Sequence, residues 1–146
     1  MLKIKRQRRG GFLIAKTHQL AGRIFTKMLK DYQIEINPSQ GRIMFVLWQN
    51  DEISFKELAK KTSLGKSTLT SMLDRLEKMG YIERIPSKVD RRKIMIKTTE
   101  KDKSLNEKYV QISQKMNGLY YKGFTDEEID SFEKFLSRIF DNLSSV

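Results

Sequence analysis

Mainly α with one small β-hairpin is the fold class that the sequence dictates, and three observations carry it. Two short amphipathic segments, Phe55 to about Lys61 and Lys66 to Gly80, flank a turn at Thr62-Ser63-Leu64-Gly65. Two runs of strand composition, Tyr81 to Ile85 and Lys93 to Lys97, follow directly. Between the runs stand Pro, Ser, Asp and several cations, so they close into a hairpin with a basic tip. Helix, turn, helix and hairpin in this order predict a winged helix-turn-helix, and apolar stripes on either side of it predict further helices at both ends.

The elements follow in turn. Leu13, Leu20, Ala21, Ile24, Phe25, Met28 and Leu29 predict a helix from Gly11 to roughly Tyr32. Their stripe is wider than one packing surface needs, which implies burial on two sides. Asn37-Pro38-Ser39-Gln40 opens the next helix: Asn caps it, Pro suits a first turn that needs no N–H, and Gln closes the capping box. That helix runs to about Gln49, and its Ile43 to Trp48 run is apolar all round, so it is expected at the centre of the core. Ser54 and Glu57 repeat the capping logic for a short helix with Leu58 and Ala59 inward. In the turn that follows, Gly65 is expected to supply a backbone conformation that other residues resist.

The helix from Lys66 should bury Leu69, Met72, Leu73, Leu76 and Met79 and end at Gly80 as its C′ residue. Its outward face is then Ser67, Thr70, Ser71, Asp74 and Lys78, with Thr68 and Arg75 beside it. After the hairpin, Thr99 is expected to cap a long helix to about Lys122, in which Leu105, Tyr109, Ile112, Met116 and Leu119 alternate spacings of four and three. A heptad of this kind calls for a helix–helix seam. Thr125 with Asp126-Glu127-Glu128 opens the last helix, which turns Ile129, Phe132, Leu136, Ile139, Phe140 and Leu143 inward. The organisation expected is a basic tail and dimerisation helix over 1–36, a winged helix-turn-helix over 37–99, and dimerisation helices over 100–146.

Composition narrows the function. The 146 residues carry 29 Lys and Arg against 18 Asp and Glu, a net charge of +11, which favours a polyanionic partner. The excess is local: residues 54–103 hold 14 basic and 7 acidic side chains, whereas residues 104–146 hold 5 and 7. With no cysteine, disulfides, thiolate metal sites and thiol redox sensing are excluded. The basic start, Lys3, Lys5, Arg6, Arg8 and Arg9, lacks the apolar run of a secretory signal, and no segment is long enough to span a bilayer. A cytoplasmic location with no membrane partner is expected.

Several suggestive residues carry no chemistry. Gly65-Lys66-Ser67 resembles the end of a phosphate-binding loop, but Lys60 stands where that loop needs glycine. His18, the single histidine, has no cysteine or acidic partner one turn away. Asp126-Glu127-Glu128 suits a helix dipole, and the methionines suit core filling. No nucleophile and base, no metal-ligand set and no cofactor loop survive inspection, so neither an enzyme nor a cofactor is expected.

Duplex DNA is the partner that the pattern favours. The second helix of a helix-turn-helix enters the major groove, where Lys66, Ser67, Thr68, Thr70, Ser71 and Arg75 would reach base edges and phosphates. In the wing, Lys88, Asp90, Arg91, Arg92 and Lys93 form the second contact set. An arginine enters the minor groove, the lysines neutralise phosphate, and Asp90 orients an arginine because a carboxylate beside phosphate is repelled. An architectural protein with little sequence preference shares this charge and is the alternative.

Ser39-Gln40, Leu58-Ala59, Leu64 to Thr70, Leu73 to Arg84 and Asp90-Arg91-Arg92 together resemble the multiple-antibiotic-resistance regulator (MarR) family. The resemblance covers nearly the whole chain in layout, with its specific motifs between Leu58 and Glu100. It implies a homodimer joined through the first, fifth and sixth helices, so that Leu13, Leu20, Ile24, Ile129, Phe132, Leu136, Ile139 and Phe140 become dimerisation residues. It also implies a repressor that reads a pseudo-palindromic operator, with Arg92 in the minor groove, and that a small-molecule effector releases by binding between the dimer domain and each winged module. Thr98-Thr99-Glu100-Lys101-Asp102 departs from the pattern, with Thr and Asp where Leu and Gly are usual, which bears on the start of the fifth helix.

Overall fold

The structure, a computed structural model, describes residues 7–146, so Lys3, Lys5 and Arg6 of the expected tail lie outside the described residues. Helices α1 (Gly10–Asp31) and α2 (Pro38–Trp48) precede a short strand β1 (Ile53–Ser54). Then come α3 (Phe55–Thr62), α4 (Lys66–Lys78), the hairpin β2 (Ile82–Pro86) and β3 (Ile94–Thr98), α5 (Asp102–Tyr120) and α6 (Asp126–Ser144). The expected class, mainly helical with a β-hairpin wing, is the one observed. Its sheet has one strand more than expected: β1 pairs antiparallel with β3, giving the order β1-β3-β2. Ile53 and Arg84 both register with Ile96, and buried Ile53 carries that edge into the core.

The chain falls into two compact units that part after Ile112, within α5. In the first, Ile43, Met44, Leu47, Ile53, Leu58, Leu69, Leu73, Leu76, Ile82, Ile96 and Ile112 are fully buried. The cap of α2 is the box expected: Asn37 Oδ1 accepts from Gln40 N at 2.8 Å and Gln40 Oε1 from Asn37 N at 3.0 Å. One turn on, Gly41 faces the Tyr109 ring of α5 so closely that a Cβ there would lie 2.8 Å from Cε2. Phe25 and Trp48 stand around the same ring, at 5.6 and 5.1 Å between centroids. Burial pushes the Tyr109 hydroxyl up to about 12.

Four expectations change. Phe45 is 50% exposed, so the run from Ile43 to Trp48, apolar all round, is not buried all round; a helix flanked on several faces still leaves one outward. Met72 and Met79 are half-buried, at the edges of a face centred on Leu69, Leu73 and Leu76. Gly65 adopts φ −67°, ordinary extended backbone, because the left-handed residue of the turn is Ser63 at φ 57°, which ends α3. Thr99 does not cap α5 with its side chain, since its hydroxyl donates to the Gly80 carbonyl, fastening the end of the hairpin to the end of α4. Gly80 itself has φ 88° and ends α4 as expected.

The second unit is the end of α5, a turn and α6. Thr125 and Glu128 form the capping box of α6. Tyr121 Oη donates to Glu133 Oε2 at 2.6 Å, and the Tyr121 ring meets Phe124 and Phe132 edge-on. The expected inward stripe of α6 is corrected here: Phe132, Leu136, Ile139, Phe140 and Leu143 are 40–70% exposed, Ile129 is half-buried, and Leu119 of α5 is exposed too. The periodicity is the one the sequence shows, but two helices provide too little surface to cover it.

Candidate nucleic-acid interface

Ser54 Oγ accepts from Glu57 N and starts α3. The left-handed Ser63 then turns the chain into α4, whose roll is set by the fully buried Leu69, Leu73 and Leu76. Ser67, Thr70, Ser71 and Asp74 therefore share the opposite face, at helical spacings of three and four. With Lys66 they line a shallow, open depression. Thr68 is exposed nearby. Thr70 Oγ1 donates to the Lys66 carbonyl at 2.8 Å, so its hydroxyl proton is committed and its oxygen lone pair and methyl group are what it offers outward. Arg75 stands beside this face, where it lines a separate cleft with Glu35, Asn37, Gln40 and Lys78.

Sequence reasoning missed the clamp between α4 and the wing. Arg84 of β2 places Nη2 2.7 Å from Asp74 and 2.8 Å from Glu77, and its backbone N–H donates to Glu77 at 3.1 Å. Glu77 and Arg84 flank Gly80, a spacing that signals a pair only once the turn is known. The hydrogen bond from Arg84 is the main cause that holds the Glu77 carboxyl below its usual value, and Arg84 is raised in return. A depressed carboxyl stabilises above its unfolded pKa, near 4.5, and that contribution is lost as pH falls through the lower folded value. Arg84→Ala is expected to cost about 1 kcal/mol at pH 7, small because the acids are exposed and screened. The deficit should shrink below pH 4, as denaturant unfolding at the two pH values would read.

The wing tip is ordered by its own side chains. Ser87 Oγ accepts from Val89 N and Asp90 N, both at 3.2 Å. Asp90 Oδ1 accepts from the N–H and Nε of Arg92, at 3.1 and 3.2 Å, and Oδ2 from Nη2 at 3.3 Å. Arg92 in turn holds the Asp90 carboxyl below its ordinary range, mainly through its side-chain hydrogen bonds. Asp90 thus aims the arginine. Lys88, Arg91 and Lys93 are exposed around it. Arg92→Ala is expected to weaken operator binding by about 1–3 kcal/mol, measured by fluorescence anisotropy; wild-type affinity in the variant removes the wing from the interface.

Among the described residues no three His, Cys, Asp or Glu side chains gather as a metal site, and no helix is long and apolar enough to cross a membrane.

Residues 36–94 match the MarR family. SarZ of Staphylococcus aureus, an HTH-type transcriptional regulator, is 30% identical over 123 residues, spanning 81% of this chain and 80% of its own. The chain belongs to the MarR family. YetL of Bacillus subtilis, an HTH-type transcriptional repressor, is 31% identical over 105 residues, 70% of this chain and 63% of YetL. Among solved structures, a mutant MarR from E. coli complexed with operator DNA superposes with a TM-score of 0.77 at 28% identity, covering 88% of this chain and 91% of that one. A MarR protein from Peptoclostridium difficile reaches a TM-score of 0.84 at 21% identity, over 99% and 94% of the two chains, a likeness of fold. The MarR assignment agrees with the motifs between Leu58 and Glu100.

Proposed function

We propose that this MarR-family chain is a cytoplasmic, sequence-specific repressor that binds double-stranded DNA as a homodimer on a pseudo-palindromic operator. The observation that carries the reading is one connected reading head: the outward face of α4 is clamped by Arg84 to β2, the strand leading to the tip where Asp90 aims Arg92. Residues 37–99 form the DNA-binding domain in this reading. Lys66, Ser67, Thr68, Thr70 and Ser71 meet the major groove, Arg75 reaches phosphate from the side, and Lys88, Arg91 and Lys93 neutralise backbone charge around Arg92.

Residues 1–36 and 100–146 join two copies. Leu13 and Leu20 of α1 and the α6 residues Phe132, Leu136, Ile139 and Phe140 are exposed in the single chain, with Ile24 and Ile129 half-buried. Apolar patches of this extent mark interaction surfaces. Two heads about one helical turn apart, roughly 34 Å, fit successive major grooves, and a small-molecule effector acts by favouring a dimer geometry with different spacing. Chemistry on a substrate is not part of the role.

The test is selection of genomic fragments with the purified protein, followed by competition. A specific repressor retains its selected pseudo-palindrome against excess random duplex. Loss in proportion to competitor overturns the reading in favour of an architectural protein.

A further inference from the structure

The two flanks of α4 are finished differently. Toward the wing, Asp74 and Glu77 hold Arg84. Toward α2, a cleft of about 350 Å³ is lined by Arg75, Lys78 and Met79 of α4 and by Glu35, Asn37 and Gln40 around the start of α2. Arg75 and Lys78 are exposed, and neither forms an ion pair among the described residues.

Gln40 is the informative side chain, being only 4% exposed. Its Oε1 accepts from the Asn37 N–H at 3.0 Å, which fixes the orientation of the amide and leaves Nε2 with two donors. Those donors have no partner among the described residues. Nor are they sealed in: the one buried side-chain atom without a partner among the described residues is Asp102 Oδ1, so Nε2 keeps accessible surface, and the cleft is the opening that Gln40 lines. Donors on a buried side chain are normally satisfied, so an acceptor is wanted there. Its character follows from the setting. A guanidinium and an ammonium stand beside the amide, and the start of α2 carries no acid in its first turn to offset the positive end of the helix dipole. Glu35 is the single carboxylate on the lining, and the two cations outnumber it.

We infer that this cleft seats one backbone phosphate of the duplex, an oxygen of which accepts from Gln40 Nε2 while Arg75 and Lys78 balance its charge. The inference rests on the DNA-binding reading and deepens it. A phosphate in the cleft lies beside the face of Ser67, Thr70 and Ser71, as the strand bordering a major groove does. Because the capping box holds the amide in place, the contact sets the depth and roll of α4 in the groove and reads no sequence.

Gln40→Glu keeps an oxygen for the Asn37 N–H, glutamate being equally suited to a capping box, and replaces the two amide donors with a negative charge. In the full chain, affinity for the selected operator and for random-sequence duplex is expected to fall by the same factor, at least about tenfold, as read by fluorescence anisotropy. Lys78→Gln should lower the slope of log affinity against log salt by about one. Glu35→Gln should tighten both duplexes severalfold. A neutral methylphosphonate moved along the operator should weaken the unaltered chain at one linkage per half-site, where Gln40→Glu loses nothing further. Unchanged affinity in folded Gln40→Glu, a loss confined to the operator, or equal methylphosphonate penalties in both proteins at every linkage overturns the seat. If Gln40→Glu does not fold, the other two variants decide, an unchanged slope and unchanged affinity overturning it. Absence of duplex binding by the unaltered chain strikes the DNA-binding reading and the seat together, whereas normal binding with an indifferent Gln40→Glu strikes the seat alone.

Discussion

Gly41→Val is expected to lower the stability of the chain by about 3 kcal/mol, the upper end of what overpacking costs. The position is special because α2 and α5 approach there with no room between backbone and ring: a Cβ on Gly41 would come 2.8 Å from Tyr109 Cε2 and 2.9 Å from Cζ. The ring cannot swing away freely, since Phe25 and Trp48 stand around it. Thermal unfolding should show a midpoint lowered by roughly 10 °C. Pairing the change with Tyr109→Leu, which removes the obstructing ring, should restore part of the loss, a coupling that a double-mutant cycle isolates. Additive losses would place the strain elsewhere.

Leu136→Glu combined with Ile139→Glu is expected to leave the monomer folded and abolish its association. Both side chains are about 40% exposed and lie on a helix with no buried residue, so the single chain loses little when they change. A dimer interface built on them must bury carboxylates, which is unfavourable without partners. Light scattering should report half the wild-type mass, with helix content retained. Operator affinity should fall by at least about a hundredfold, because two linked half-sites bind far more tightly than one. Unchanged mass and affinity would show that α6 does not join the subunits.

Helix starts were legible because caps are local chemistry: Asn37 with Gln40 and Thr125 with Glu128 form full boxes within four residues, and Ser54 accepts from the Glu57 N–H although the Glu57 side chain does not reach back as expected. Grouping Ser67, Thr70 and Ser71 on one face needed only the helical period. What stayed hidden depends on distant partners. Strand β1, two residues long, has no periodicity of its own and exists because β3 offers it an edge. The Arg84 clamp joins a helix to a strand across a turn, and the Gly41–Tyr109 approach joins residues far apart in the chain. The geometry of the helix-turn-helix turn shifted from Gly65 to Ser63 because the chain reversed at the end of α3, before the glycine was reached. The α6 stripe was plain as a pattern, yet a pattern does not say whether its cover lies in the same chain.

The clasp at the wing tip makes Arg92 a threshold device in the DNA-binding reading. Before contact the guanidinium already has an anion, the Asp90 carboxylate, with its atoms 3.2–3.3 Å away. DNA must therefore outbid a carboxylate rather than solvent, and only a deep negative trough does so, such as the narrow minor groove of an A-tract. On wide-grooved duplex the arginine stays home and the wing slides past. Asp90→Ala should lower that threshold, so that the protein grips mismatched sequence more readily than before, trading discrimination for retention.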